Sequence, residues 1–111
     1  MLYPIMYKIK GKRVVVVGAG QVALRKVKDL TQAGAHVIVI APDIHHELEE
    51  FALHHPTITI IKRKYQKGDC VGAALVFSAT NNPNVNRTVF EEASALNIPI
   101  NAVDDPENSS F

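Results

Sequence analysis

Apolar and polar positions follow two rhythms along this chain, short β-branched runs and longer stretches of helical spacing, and the two alternate. Residues 2–10, LYPIMYKIK, read as extended, because Pro4 opposes a helix and apolar and polar residues alternate after it. A turn at Gly11–Lys12 leads into Arg13–Val17, a continuous run typical of a strand covered on both faces. From Gln21 to Ala33, the apolar residues Ala23, Val27 and Leu30 recur at helical spacing, with Arg25, Lys26 and Lys28 off that face. Gly34 closes the helix. His36–Ile40 reads as a second buried strand. Pro42 is expected to open a short helix with Leu48, Phe51 and Ala52 inward, ended by Pro56, and Thr57–Ile61 reads as a third strand. Lys62–Gly72 is polar and irregular. Ala73–Ser78 is a fourth strand, Thr80–Asn82 a polar turn, and Asn82-Pro83 a cap and first-turn pair. Val85, Val89, Ala93 and Leu96 form one face of a long helix, Pro99–Val103 is a fifth strand, and DDPENSSF is a turn-rich tail.

Alternating strands and helices imply parallel pairing through crossovers. The expected architecture is α/β: a Rossmann-like parallel five-stranded sheet of order 3-2-1-4-5 with helices on both faces. The sequence has no repeat, low-complexity segment or internal domain boundary, so residues 1–111 read as one domain.

The chemistry concentrates where the first strand ends. Gly18-Ala19-Gly20, with Ala23 three residues on, has the spacing of a dinucleotide cradle. Gly18 permits the tight turn, Gly20 lets a pyrophosphate approach the backbone, and Ala23 lets the helix pack closely on the strand. The amides opening the helix at Gln21 would face the phosphates at the positive end of its dipole. An acid usually follows the second strand of such a unit and holds a ribose hydroxyl, but here Ile40, Ala41 and Pro42 occupy that place. The ribose contact is left to backbone or to Asp43. No arginine directly follows the second strand, so nothing there favours a 2′-phosphate. Ligands of open parallel sheets bind at the carboxyl edge of the strands. That edge should carry residues 18–22, 41–43, 62–64 and 79–82, together with Asp104 and Asp105.

Composition narrows the classes. A net charge of +1 suggests neither a nucleic-acid nor a membrane partner, and no apolar run approaches the ~20 residues of a membrane span. The single cysteine, Cys70, excludes an internal disulfide and fits a reducing compartment, and MLYPIMYKIKGKR has no signal-peptide apolar block. The expected location is the cytoplasm. His45-His46 and His54-His55 read as parts of a solvated helix, with no metal site expected, since adjacent histidines rarely aim both rings at one ion. Cys70 reads as a thiol without a role.

The chain resembles the dehydrogenase domain of the siroheme synthase family, also known as precorrin-2 dehydrogenase and sirohydrochlorin ferrochelatase. The resemblance rests on YPI (3–5), KGKRVVVVGAGQVALRK (10–26), AGAHVIVIAP (33–42), FSATNNPNVNR (77–87) and INAVDDPENSSF (100–111), in family order over nearly the whole chain. The glycine turn is shared with many enzymes, whereas SATNN together with NAVDD is far more specific. The resemblance implies NAD-dependent oxidation of precorrin-2, a tetrapyrrole, to sirohydrochlorin; some members then insert ferrous iron. It aligns a family catalytic aspartate with Asp104, and cofactor contacts with Gln21, Val22, Ala41 and Pro42. The family lacks the acid after the second strand, so its absence here does not oppose NAD.

Beyond those contacts, Thr80 and Asn81 are candidates for the nicotinamide ribose, Asn82 for a helix cap, Asn86 for a brace of that loop, and Asn101 for a structural hydrogen bond. Asp104-Asp105-Pro106 is also a turn former, and Asp105 is read chiefly in that role. Lys62, Arg63 and Lys64, with Arg25 and Lys26, could attract a polycarboxylate substrate. The resemblance further implies a dimerisation segment and a helical domain beyond these residues, so the chain is read as truncated and the whole protein as a homodimer. The alternative is an NAD(H)-sensing regulatory module without catalysis, which needs the glycine turn but no carboxylate at the fifth strand.

Overall fold

In the computed structural model, which describes residues 1–111, five parallel strands pair in the order β3-β2-β1-β4-β5. The elements in chain order are β1 (Arg13–Val17), α1 (Gln21–Gln32), β2 (His36–Ala41), α2 (His46–Leu53), β3 (Ile58–Lys62), β4 (Leu75–Ser78), α3 (Pro83–Ala95) and β5 (Ile100–Ala102), with a 3-10 turn at Pro106–Asn108. β1 lies in the middle, with Val15 opposite Ile38 of β2 on one side and Val76 of β4 on the other. Its four valines are sealed from solvent because the strand is paired on both edges and covered on both faces. Burial of this kind contributes roughly 1.5–3 kcal/mol per side chain.

The pleat divides the core in two. Val14 and Val16 point into a layer with Ala23, Leu24, Val27 and Leu30 of α1, Leu48 of α2 and Phe77. Val15 and Val17 point the other way, among Ile40, Cys70, Val76, Ile100 and the Val89 and Ala93 of α3. The sheet therefore has helices on both faces, and the glycine turn and α3 approach its carboxyl edge from opposite sides.

Several local features differ from the sequence expectation. Pro42 does not open a helix: residues 42–45 bend the chain so that the His45 amide reaches the Ala19 carbonyl at 2.9 Å, and α2 begins only at His46. The helix ends at Leu53, before Pro56. Leu96 is the C-cap residue of α3 and is exposed, because the chain leaves the helix through the left-handed Asn97 before the apolar face can repeat. Ala73 and Ala74 precede β4 without joining it, and residues 2–8 form no strand, although Ile9 packs on the α1 side of the core.

Candidate functional site

The glycine turn is built as the spacing requires. Gly18 has φ +110°, a conformation that side chains rarely adopt, and its amide bonds to the Ile40 carbonyl at 2.9 Å. A Cβ there would fall 2.6 Å from the Ala79 carbonyl oxygen, so only glycine lets β1 run under the loop after β4. Gly20 is different. It is the N-cap of α1 and offers no side-chain cap, and a Cβ on it would meet nothing within 4 Å. The first helical bond runs from the Leu24 amide to the Gly20 carbonyl, which leaves the amides of Gln21, Val22 and Ala23 without a partner in the chain. No acidic residue occupies the first turn of α1 to compete for them. Open space before three free amides is what an anionic diphosphate needs, so these residues fit the pyrophosphate of a dinucleotide.

A cavity of about 420 Å³ opens beside this turn on the α3 side of the sheet. Val17, Gly18, Ile40, Ala41 and Pro42 form its floor, Thr80, Asn82, Val85 and Thr88 one wall, and Lys64 with Tyr65 the other. Its place at the end of β2 is that of the adenosine ribose in sheets of this order. Among the residues expected from sequence, Gly18, Ala41, Pro42 and Thr80 line this cavity, whereas Asp43 and Asn81 are exposed and lie off its lining. Lys64, Tyr65, Val85 and Thr88 were not singled out as cofactor neighbours. Lys64 and Tyr65 come from the segment just after β3, the strand beside β2, more than twenty residues beyond Ala41; the sequence placed Lys64 at this edge, but as an attractor of substrate.

The other half of the edge carries Asp104. It follows β5 in the left-handed region at φ +57°, exposed, with no hydrogen bond to its carboxylate from the chain. Asp104 lines a smaller cavity of about 310 Å³ with Val22, Arg25, Lys26 and Asp29 of α1 and with Val103. The residue two places beyond Gly20 and the acid at the end of the last strand thus share one hollow. Lys26 also lies 5.3 Å from the centre of the Phe77 ring and lines the neighbouring hollow beside residues 101–106.

One buried amide ties the loops of the edge together. Asn86 of α3 accepts the Ser78 hydroxyl at 2.5 Å and the Thr80 hydroxyl at 2.8 Å through Oδ1. Through Nδ2 it donates to the Thr80 carbonyl at 3.3 Å and to the Asp105 carboxylate at 3.4 Å. The Thr80 hydroxyl hydrogen is therefore engaged within the protein. Asp105 also accepts from Asn108 at 2.8 Å, the turn role expected of it. Asn82 caps α3 by accepting from the Asn84 amide at 3.0 Å, and Asn101 donates to the Phe111 carbonyl at 2.6 Å.

The basic run after β3 is not uniformly free. Arg63 makes a two-pronged ion pair with Asp69, both contacts at 2.8 Å, and donates to the Lys64 carbonyl at 3.0 Å. Its charge is matched by Asp69, although its side chain remains 36% exposed. Beneath it, Glu92 of α3 accepts the Tyr65 hydroxyl, the Cys70 thiol at 3.4 Å and the Gly68 amide at 2.6 Å. These bonds hold the segment that replaces a crossover helix between β3 and β4. His45 caps α2, its Nδ1 accepting from the Glu47 amide at 3.2 Å, and its ring stacks on His46 at 4.6 Å. The ligand atoms of His45, His46 and Glu47 come within 4.8 Å of one another; the capping bond takes His45 Nδ1, and His45 Nε2 lies 3.5 Å from the Gln21 side-chain amide nitrogen. No helix is long and apolar enough to cross a membrane.

Comparison with known proteins places this geometry. Residues 5–111 match the model of a family described as "Putative NAD(P)-binding". The chain is 42% identical over 103 residues to a siroheme synthase of Pseudomonas putida, covering 93% of this chain and 22% of the relative. It is 36% identical over 109 residues to a siroheme synthase of Psychrobacter cryohalolentis, covering 98% and 21%. The chain thus spans about a fifth of the length of these curated relatives. The solved structure of "SirC, precorrin-2 dehydrogenase" superposes with a TM-score of 0.73 at 32% identity over 79% of this chain and 44% of that one. An acetophenone reductase from Geotrichum candidum, solved in complex with NAD, shares the fold alone, with a TM-score of 0.61 at 12% identity over 85% of this chain and 34% of that one. With its Rossmann-like sheet and glycine turn, the chain belongs to the NAD(P)-binding family, and within it to the type that forms the N-terminal domain of siroheme synthases and occurs in precorrin-2 dehydrogenase.

Proposed function

We propose that this domain binds NAD+ across the carboxyl edge of its sheet and serves the two-electron oxidation of precorrin-2 to sirohydrochlorin, with Asp104 as the proton acceptor. The observation that carries the reading is the hollow shared by Asp104 and Val22: the only carboxylate at the end of β5 that faces α1 stands beside the turn that fits a diphosphate. Gly18, Gly20, Gln21 and Val22 would hold the diphosphate and Ala41 and Pro42 the adenosine. Asp43 and Asn81, off the cavity lining, would reach a ribose only from its rim.

Bound NAD+ supplies a hydride acceptor. The macrocycle must also lose a proton, and a carboxylate free of internal partners at the strand end can take it. Arg25 and Lys26, in the hollow with Asp104, would draw the carboxylates of the substrate toward it. Where ferrous iron is inserted as a second substrate, the pyrrole N–H protons must leave, and the same carboxylate is at hand. The whole protein is read as a cytoplasmic homodimer with further domains.

The test is to mix the protein with precorrin-2 and NAD+ and follow the absorbance of the oxidised macrocycle. Asp104→Ala should bind NAD+ almost as the parent does and lose about 10²-fold or more of the oxidation rate. An unimpaired rate removes Asp104 from the mechanism. Binding of NAD+ by the parent without any oxidation supports a sensing module instead.

A further inference from the structure

We propose that His45 is a positioning residue for the diphosphate of the cofactor: it turns the Gln21 carboxamide so that its amino end is presented to the anion. The inference rests on the dinucleotide reading above and deepens it at the first residue of α1.

His45 stands where two segments of the sheet edge meet. Its amide donates to the Ala19 carbonyl at 2.9 Å, which fixes the loop after β2 on the glycine turn. Its ring caps α2, with Nδ1 accepting from the Glu47 amide at 3.2 Å. Histidine is not among the side chains that helix N-termini favour; serine, threonine, aspartate and asparagine make that bond with shorter side chains. What the ring adds is a second nitrogen on its far side. His45 Nε2 lies 3.5 Å from Nε2 of Gln21, the residue that opens α1, 24 positions earlier in the chain.

The chemistry of the ring decides how that contact is made. A ring nitrogen that accepts a hydrogen bond carries no proton, so the capping bond leaves the proton of the neutral ring on Nε2. Nε2 is therefore a donor, and a donor facing the amino group of Gln21 is unfavourable. The two ends of a carboxamide have nearly the same shape, so a half-turn of the amide sets Oε1 against the ring at no steric cost. Gln21 then keeps both of its side-chain N–H donors on the end away from His45. The backbone amides of Gln21, Val22 and Ala23 are unpartnered in the same turn of helix, and the space beside Gly20 is open. An anion seated on those amides meets a further donor, and a hydrogen bond to a charged acceptor is among the strong ones. A glutamine without this restraint presents its oxygen as readily, and that oxygen repels the anion.

The test is calorimetric titration of the chain with NAD+ for the parent, His45→Asn, Gln21→Leu and the double variant, with a melting curve for each. Asparagine is a strong cap residue, so His45→Asn should keep α2 and the melting temperature while it removes the donor toward Gln21. It should weaken NAD+ binding about tenfold, the scale of one charge-assisted hydrogen bond. Gln21→Leu should weaken binding by a similar factor, and His45→Asn should cost nothing more in the Gln21→Leu background. Nitrogen-15 spectra of the ring at mildly alkaline pH should place the His45 proton on Nε2. Parental affinity in His45→Asn overturns the inference. So does an equal loss from His45→Asn with and without Gln21, which makes the ring itself a ligand, and so does a ring proton on Nδ1. If the parent does not bind NAD+ at all, the dinucleotide reading falls, and this role of His45 falls with it.

Discussion

A Cβ added to Gly18 would sit 2.6 Å from the carbonyl oxygen of Ala79, so the turn after β1 and the loop after β4 are fitted to each other with no room for a methyl group. Gly20, two residues on, faces open space. The two glycines of one motif thus answer to different demands, one to the fold and one to a ligand. Gly18→Ala combines a φ of +110° with backbone overlap and should destabilise the domain by about 3 kcal/mol, read as a drop in urea midpoint. Gly20→Ala should cost about 1 kcal/mol or less, yet abolish measurable dinucleotide binding, because the methyl group would stand where the diphosphate must approach. Equal loss of stability in both variants would contradict this division.

Asn86 is buried and serves four groups, among them the fully buried Ser78 hydroxyl. Asn86→Ala should leave Ser78 without its acceptor and cost about 2–3 kcal/mol in chemical unfolding. Ser78→Ala together with Asn86→Ala should cost less than the sum of the single changes, because the second substitution removes the stranded hydroxyl. A strictly additive cycle would mean that the pair is not coupled.

Acid should unfold the protein partly through two carboxylates. Burial pushes the Glu92 carboxyl up, but hydrogen bonds from Tyr65, Gly68 and Cys70 outweigh it and hold the folded value low. Asp69 is held low by the Arg63 guanidinium, against burial and with help from the Gln66 amide. In both cases the unfolded chain takes up its proton first as pH falls. Their stabilisation is fully present above about pH 4.3 and is lost as pH drops through the lower folded values. Glu92→Gln should lower the melting temperature at pH 7, and its deficit against the parent should shrink as the medium is acidified toward pH 3. A constant deficit over that range would show that Glu92 titrates at its ordinary value.

Cys70 should be chemically quiet. The thiol has no accessible surface, burial raises its pKa, and Glu92 beside it opposes the thiolate, although the Tyr65 hydroxyl acts in the other direction. A disulfide reagent such as dithionitrobenzoate should therefore label the native protein slowly, at a rate limited by opening of the 63–72 segment, and the unfolded chain at once. Asp69→Asn should accelerate labelling of the native state, since Asp69 closes that segment onto Arg63 and the Gln66 amide. Rapid labelling of the native parent would show that the segment is not closed over the sulfur.

The strand order was legible because five apolar runs, separated by helical stretches and led by a glycine turn, admit few other parallel arrangements. The cap of α3 was legible because Asn-Pro serves both the capping and the first-turn position. The start of α2 was not, since Pro42 suits a first turn equally well, and only the bond from the His45 amide to Ala19, across the sheet edge, keeps residues 42–45 out of the helix. At the site, Gly18, Ala41, Pro42 and Thr80 could be placed from local pattern, and Asn86 could be suspected as a brace from its spacing to Asn82. Asp43 illustrates the converse: adjacent in sequence to the end of β2, it is turned out of the lining. Lys64 could be placed at the carboxyl edge, though it was read there as an attractor of substrate, whereas the engagement of Arg63 by Asp69 could not be read, because it depends on how an irregular segment folds back. The left-handed backbone of Asp104 likewise carries no local signature beyond the tolerance of aspartate for that region.

The reach of Asn86 bears on how the edge would respond to an occupant. Its amide clasps Thr80, at the wall of the larger cavity, and Asp105, the neighbour of Asp104, from a helix on the far side of the sheet from α1. A molecule that shifts the segment after β4 must therefore tug on the one after β5, like two hands on a single rope. The exposed acid then owes its address less to the strand it follows than to an uncharged side chain across the β-layer.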